Sequence, residues 1–270
     1  MTTKLVFLGG GNMAEAIFAG LISNPEFKIE VIQRNPDKIT ALKQKYSDIT
    51  VTATLDCVLN PEDIIVLAIK PQQAKEALLP IKDKLANCLV VSVMAGLNCA
   101  TISNWLANPR IIRTMPSTPS SIKEGITAVF ATPAVSPEHY QLVQNIFATI
   151  GIIYPARTED EIDKIVPISS SAVAFQYYFM EGLINNAVSK FGFSEADATK
   201  LVLQLVKGSY GLLEANPTIA IAEQRARVTS KKGATEQGVL TFEKQQLHQI
   251  IGEAMSNCYN RAVEMAEEFK

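Results

Sequence analysis

The residues with the clearest chemical role are glycines near the start of the chain, in the stretch "KLVFLGGGNMAEAIFAGL". Gly9, Gly11 and Ala14 match the pattern G-x-G-x-x-A between a short apolar run and a segment of helical periodicity. In that pattern the first glycine allows a tight turn, the second lets a phosphate approach the backbone, and the alanine keeps the helix close to its strand. Unpaired N–H groups at the start of the helix attract anions. The pattern therefore predicts that Gly9, Gly11, Asn12 and Met13 bind a dinucleotide.

The residues after the second predicted strand indicate which dinucleotide is bound. An NAD enzyme typically has Asp or Glu at this place, where it bonds the ribose 2′-hydroxyl. Here the chain reads "EVIQRNPDK", with Gln33 and Arg34 at the position of the acid. A guanidinium matches a 2′-phosphate through paired charge-assisted hydrogen bonds. The sequence favours NADP(H), held by Arg34 with help from Asn35, and leaves NAD(H) open as a second cofactor.

These residues need a sheet to position them, and the first part of the chain has the pattern of one. Short runs rich in β-branched residues alternate with longer amphipathic runs, which is typical of βαβ units around a parallel sheet. We expect strands at Leu5–Leu8, Ile29–Gln33, Ile64–Ile69, Leu89–Val93, Ile111–Thr114, Thr127–Ala131 and Ile152–Tyr154. We expect helices at Met13–Ser23, Asp37–Lys45, Gln73–Lys84, Cys99–Leu106 and Glu138–Thr149.

After Tyr154 the pattern changes, because apolar residues recur at helical spacing and strand-like alternation becomes scarce. Thr158 and Glu161 are spaced like a capping box at the start of this part. The predicted fold class is α/β: a doubly wound Rossmann-type domain that binds NADP in residues 1–160, followed by an all-α domain in residues 161–270. The all-α domain is expected to bind substrate and to dimerise.

Composition excludes several classes of partner. The chain carries 25 Lys and Arg against 27 Asp and Glu, without a dense basic stretch for nucleic acid or an anionic membrane. Its apolar stretches are too short to span a bilayer. Two histidines and four scattered cysteines offer no metal-ligand spacing, so no metal site is predicted. We expect a cytoplasmic protein with free thiols.

Four stretches in order along the chain, "FLGGGNMAEA", "VLAIKPQ", "IIRTMPSTP" and "ARVTSKKGAT", closely resemble the pyrroline-5-carboxylate reductase family. The resemblance implies an oxidoreductase of proline biosynthesis. It would reduce the cyclic imine 1-pyrroline-5-carboxylate to L-proline with hydride from NADPH or NADH. It also implies a homodimer formed through the C-terminal helices, and leaves a higher oligomer of dimers open.

The resemblance also assigns roles to residues. Six further positions would contact the cofactor: Ala68, Lys70, Pro71, Ala95, Met115 and Pro116. A loop and helix start would hold the substrate carboxylate: Thr229, Ser230, Gly233, Ala234 and Thr235. Thr235 and Glu214 are the candidate catalytic residues. Glu214 is proposed from its own position just before "ANP" and not from the resemblance, and it is expected to hydrogen-bond the ring nitrogen.

The substrate motifs depart from the family pattern. Residues 169–175 read "SSSAVAF" where the family has S-G-S-G-P-A-Y, and Lys231 and Lys232 stand where the family has Pro and Gly. Three alternatives therefore remain: a reductase of a related cyclic imine, a reductase of a 2-oxo or 3-hydroxy acid on the same fold, and a non-catalytic NADP-binding regulatory protein. The hydroxyacid dehydrogenases carry a catalytic lysine early in the interdomain helix, and no lysine lies between Lys164 and Lys190.

Overall fold

The computed structural model describes residues 2–268. Within them one sheet has the strand order β3-β2-β1-β4-β5-β6-β7-β8. The strands are β1 (Thr3–Leu8), β2 (Phe27–Ile32), β3 (Thr50–Thr52), β4 (Ile64–Leu67), β5 (Leu89–Ser92), β6 (Ile111–Pro116), β7 (Gly125–Ala131) and β8 (Gly151–Pro155). The predicted Rossmann-type α/β fold is confirmed.

Helices follow most of the strands and make up the second half of the chain. Those between strands are α1 (Asn12–Leu21), α2 (Pro36–Lys45), α3 (Pro71–Leu78), α4 (Cys99–Leu106) and α5 (Pro137–Ala148), with 3₁₀ helices at Leu79–Leu85 and Thr118–Ile122. Those after the sheet are α6 (Glu159–Ser169), α7 (Ser171–Phe191), α8 (Glu195–Glu214), α9 (Ile221–Arg227), α10 (Ala234–Lys244) and α11 (Leu247–Glu268).

The sheet departs from the predicted parallel arrangement at one pair of strands. β6 and β7 run antiparallel, with Met115 opposite Ala128, whereas the other neighbouring pairs are parallel. The physical reason is the connection, because residues 117–124 are too few for the crossover that a parallel pair needs. The three-residue strand β3 was absent from the prediction.

The core lies on both faces of the sheet. Leu5 and Phe7 belong to one buried cluster, while Val6 and Leu8 belong to the other, as the two-residue period of a strand requires. Every residue of β4 and β5 is buried. The two apolar layers fix the sheet between its helices and leave the carboxyl ends of the strands to form a site.

Contacts divide the chain into two compact units. The first unit runs to Ser171 and includes the chain from Asn257 onward, so it contains the last turns of α11. The second unit is Ala172–Ser256, and it is entirely helical where it has regular structure. This division differs from the predicted domains 1–160 and 161–270, because α6 packs on β6 and β7. In residues 2–268, no helix combines the length and the apolar character that crossing a bilayer requires.

Candidate functional site

The glycines between β1 and α1 serve different purposes. Gly9 has φ +103°, and a Cβ there would lie 2.5 Å from the carbonyl oxygen of Ala68. Gly11 has φ −85°, and a Cβ there would have no atom of the described chain within 4 Å. Gly9 is therefore needed by the turn itself, whereas the space beside Gly11 is open to a ligand.

The start of α1 is free to bind an anion. Gly11 is its N-cap and supplies no side chain to the first N–H groups. Glu15 lies in the first turn, but Lys45 Nζ is 2.6 Å and the Tyr46 hydroxyl 2.9 Å from its Oε1. The hydrogen bond from Lys45 lowers the pKa of Glu15. Because this carboxylate is paired, it opposes a bound phosphate less than a free acid would.

Within the described part of the chain, the end of β2 presents one cation without a partner. Arg34 is exposed and, within residues 2–268, forms no hydrogen bond or ion pair. Asn35 caps α2, and its side-chain oxygen accepts the N–H of Lys38 at 3.0 Å. The Asn35 N–H donates to Gln33 Oε1 at 3.1 Å. Arg34 can turn toward a ligand, whereas the side-chain oxygen of Asn35 is occupied by the cap.

The strand order reverses between β1 and β4, and ligands of doubly wound sheets bind at such a reversal. The Ala68 N–H donates to the Leu8 carbonyl at 2.9 Å, which holds the chain after β4 against the glycine turn. Lys70 is the exposed N-cap of α3, and Pro71 is the first residue of that helix. The predicted cofactor residues thus lie along the carboxyl edge of the parallel strands, in an order that suits an extended dinucleotide.

A cavity of about 370 Å³ lies in the first unit at the carboxyl ends of β5 and β6. Ala95 and Met115, both predicted to contact the cofactor, contribute to its wall together with Gly96. The last turns of α11 line it as well, and a Cβ on Gly96 would lie 2.9 Å from the Cβ of Met265. Pro116 ends β6 and is buried.

A buried ionic cluster, which the sequence analysis missed, borders the same cavity. Arg113 of β6 is 2% exposed. Its Nη1 and Nη2 lie 3.1 Å and 2.5 Å from the carboxylate oxygens of Asp163 in α6. Glu159 Oε1 lies 3.3 Å from Arg113 Nη1 and accepts the Cys99 N–H at 2.6 Å. The only sequence signal was an arginine within the apolar strand "IIRTM".

The predicted carboxylate loop lies in the second unit, before α10. Gly233 is the N-cap, and a side chain there would clash with Ser230 Oγ. Ala234 begins the helix, and Thr235 is exposed with no hydrogen bond from its hydroxyl within residues 2–268. The Thr229 hydroxyl donates to the Arg225 carbonyl at 2.7 Å. The structure thus provides an uncapped helix start at this loop.

Lys232 of the predicted carboxylate loop and Glu214, a predicted catalytic residue, each form a contact within their own segment. Lys232 adopts φ +59°, a left-handed conformation that favours glycine. Its N–H donates to Glu236 Oε2 at 2.7 Å. Glu214 ends α8, where the Tyr210 hydroxyl donates to its Oε1 at 2.8 Å. The catalytic role of Glu214 stays a prediction, with one carboxylate oxygen occupied by a residue of its own helix.

Comparison with known proteins shows which family the chain is similar to. A family model described as pyrroline-5-carboxylate reductase dimerisation matches residues 159–265, and one described as NADP oxidoreductase, coenzyme F420-dependent, matches residues 4–96. The pyrroline-5-carboxylate reductase of Vibrio alginolyticus is 30% identical, with 98% of each chain covered. That of Escherichia coli K12 is 31% identical, with 99% of this chain and 100% of the relative covered.

Two solved structures similar to this chain belong to the same family as these relatives. A pyrroline-5-carboxylate reductase from Coxiella burnetii superposes with a TM-score of 0.86 at 32% identity, covering 98% of this chain and 99% of the other. The Plasmodium falciparum enzyme, solved with NADP bound, gives 0.83 at 26% identity and covers 98% of both chains. Sequence and fold agree over almost the whole length, and the chain therefore belongs to the pyrroline-5-carboxylate reductase family.

Proposed function

We propose that this chain reduces 1-pyrroline-5-carboxylate to L-proline as a step of proline biosynthesis. The observation that carries the proposal is the likeness, over almost the whole chain, to reductases of this substrate. The uncapped start of α1, where Gly11 leaves open space at the strand-order reversal, supports its cofactor, because it suits the phosphates of a dinucleotide. A bound NADPH would supply the hydride.

The chemistry asks the protein mainly to orient two reactants and to hold an anion. A protonated imine already attracts hydride, so no strong side-chain acid is required to start the reaction. The free N–H groups at the start of α10 and the Thr235 hydroxyl, which has no hydrogen bond within residues 2–268, suit the substrate carboxylate. Glu214, with its second carboxylate oxygen, is the proposed hydrogen-bond partner of the ring nitrogen.

A related cyclic imine is the second candidate substrate. The presence of lysine at position 232 is the observation that favours it. The side chain of Lys232 stands at a left-handed position next to the proposed carboxylate site, where the family pattern has glycine. A lysine there adds volume and positive charge to the loop, and both could alter which carboxylated imine fits.

One assay tests the proposal and separates the alternatives. Turnover would be measured with pyrroline-5-carboxylate, piperideine carboxylates and short 2-oxo acids, each with NADPH and with NADH. We expect the highest kcat/KM with pyrroline-5-carboxylate. Preference for a piperideine carboxylate or a 2-oxo acid would move the assignment to that substrate. NADPH binding without turnover of any compound would support a regulatory role instead.

NADP(H) is the proposed cofactor, because Arg34 is exposed and unpaired in residues 2–268. Arg34→Ala should weaken NADPH binding about tenfold to a hundredfold, as expected for a lost charge-assisted bond, and should leave NADH binding unchanged. Fluorescence titration of both cofactors measures this, with Lys43→Ala in the last turn of α2 as the control. Equal loss for the two cofactors would show that Arg34 does not contact the 2′-phosphate.

The proposed assembly is a homodimer through the second unit, in the cytoplasm. Among the described residues of Ala172–Ser256, only Ala198 and Val202 are buried hydrophobics, while many large apolar side chains are exposed. An exposed apolar surface of that extent needs a covering partner. The four cysteines are free thiols, in keeping with a reducing compartment.

A further inference from the structure

We propose that Arg113, Asp163 and Glu159 are positioning residues for the nicotinamide end of the cofactor. This inference rests on the proposed function. With the pyrophosphate at the end of β1 and the adenosine ribose at the end of β2, the nicotinamide falls on the other side of the strand-order reversal, at the cavity bordered by Ala95 and Met115. Two segments form that wall: the end of β6, which contains Met115, and the loop after β5, which contains Ala95. We infer that the three residues hold these segments at a fixed separation.

The first segment is fixed through Arg113. Arg113 and Met115 are two residues apart on β6 and therefore point to the same face of the sheet. That face carries α6, whose Asp163 forms a two-point ion pair with the guanidinium. A planar, two-point pair fixes the direction as well as the distance of the arginine. The position of Met115 in the wall is consequently tied to α6.

The second segment is fixed through Glu159. Its Oε1 accepts the N–H of Cys99, the first residue of α4, at 2.6 Å. A carboxylate is favourable at a helix N-terminus. The loop that contains Ala95 and Gly96 runs directly into this helix. Since Glu159 also lies 3.3 Å from Arg113, one turn of α6 connects the loop after β5 to the end of β6.

The cluster is poorly suited to a purely stabilising role. Arg113 Nε is buried and has no hydrogen-bond partner in the described part of the chain. Buried ion pairs contribute little net stability compared with apolar side chains of similar size, and an unsatisfied donor lowers the contribution further. A well-packed apolar pair could hold α6 on β6 equally well, but it would not fix the direction of the neighbouring side chains.

The test replaces the pair with apolar residues of similar volume, Arg113→Met with Asp163→Leu, and compares two ligands. We expect a folded protein whose affinity for NADPH falls about tenfold. Its affinity for adenosine 2′,5′-bisphosphate, which lacks the nicotinamide, should be unchanged. We also expect kcat to fall about tenfold to a hundredfold, the scale of a misplacement near 1 Å. Glu30→Gln, which removes the Lys4–Glu30 pair between β1 and β2, is the matched control.

Two results of this test would overturn the inference. A folded double variant with unchanged NADPH affinity and unchanged kcat would overturn the inference, and so would equal loss for both ligands. If the double variant does not fold, Glu159→Ala decides by the same two affinities, because it removes the acceptor of the Cys99 N–H and of Arg113 Nη1. The ligand comparison needs no turnover, so it stands even if 1-pyrroline-5-carboxylate proves not to be the substrate.

Discussion

Lys232 holds a backbone conformation that a glycine would adopt without strain. Its φ of +59° costs a side-chain-bearing residue roughly 1 kcal/mol. We expect Lys232→Gly to offset part of that strain and to raise the melting temperature at a fixed protein concentration. Lys231→Gly is the control, because Lys231 is not at positive φ and its replacement should lower stability through unfolded-state entropy.

The same variant tells whether the lysine contributes to the site. An unchanged or improved KM for the carboxylated imine would show that its charge is not needed. A raised KM with unchanged NADPH affinity would show that Lys232 binds the carboxylate, and a lower melting temperature would contradict the strain argument.

Substitutions at the two glycines of the β1–α1 turn should affect different properties: stability at Gly9 and cofactor binding at Gly11. Gly9→Ala should destabilise the fold by about 2 kcal/mol or more, because it combines positive φ with a contact to the Ala68 carbonyl. Gly11→Val should cost about 1 kcal/mol or less, since its φ of −85° suits any residue and its surroundings are open.

Cofactor binding distinguishes these glycines further. Gly11→Val should abolish NADPH binding in a folded protein, because the branched side chain would fill the space left for the pyrophosphate. Urea denaturation and fluorescence titration measure the two effects. Normal NADPH affinity in Gly11→Val would mean that the open space beside Gly11 does not hold the pyrophosphate.

At the scale of elements, Glu15 links α1 to the end of α2 through Lys45 and Tyr46. The hydrogen bond from Lys45 lowers the pKa of Glu15 below its usual 4.5. The carboxylate therefore stabilises the fold above that value, and the contribution is lost as the pH falls through the lowered pKa.

We expect Glu15→Gln to lower the free energy of unfolding by about 0.5–1 kcal/mol at neutral pH. The difference from the parent protein should shrink below pH 4.5 and vanish once the carboxyl group is protonated. Urea unfolding across this range measures it, with Glu76→Gln on the exposed face of α3 as the control. A difference that persists in acid would point to packing and not to charge.

Sequence patterns predicted the helices and strands whose apolar residues follow one clear pattern along the chain. β4 and β5 are short apolar runs ended by a loop, and their prediction within two residues follows from burial on both faces. β3 has three residues, too few for a period to show. The direction of β7 depends on the length of its connection to β6, and predicting it required the 3₁₀ helix at Thr118–Ile122 to be recognised.

The residues of the candidate site also differ in how well the sequence predicted them. Gly9 and Gly11 lie in a local motif whose spacing carries the chemistry, so the sequence alone located them. Arg113 and Asp163 are 50 positions apart, and nothing local signals that they meet. Long-range polar pairs of this kind depend on how helices pack on the sheet, which periodicity does not specify.

At the scale of the whole molecule, the second unit cannot bury its own apolar surface. On α8, Leu201, Leu205 and Leu212 are each more than half exposed, and their spacing places them on one face with Gly208. Burying a leucine contributes about 1.5–3 kcal/mol. This stripe and the other large apolar side chains exposed in the unit would make an isolated copy unstable in water, so we expect a second copy of the chain to cover them.

We expect Leu205→Glu to break the dimer and to reduce the helix content of the second unit, because association and folding are coupled when the interface is the core. Lys207→Glu, on the opposite face of α8, should leave both unchanged. Light scattering and circular dichroism at micromolar protein concentration measure the two properties. A well-folded parent monomer at that concentration would contradict the dimer. A dimeric Leu205→Glu with full helix content would place the interface on another face of the helices.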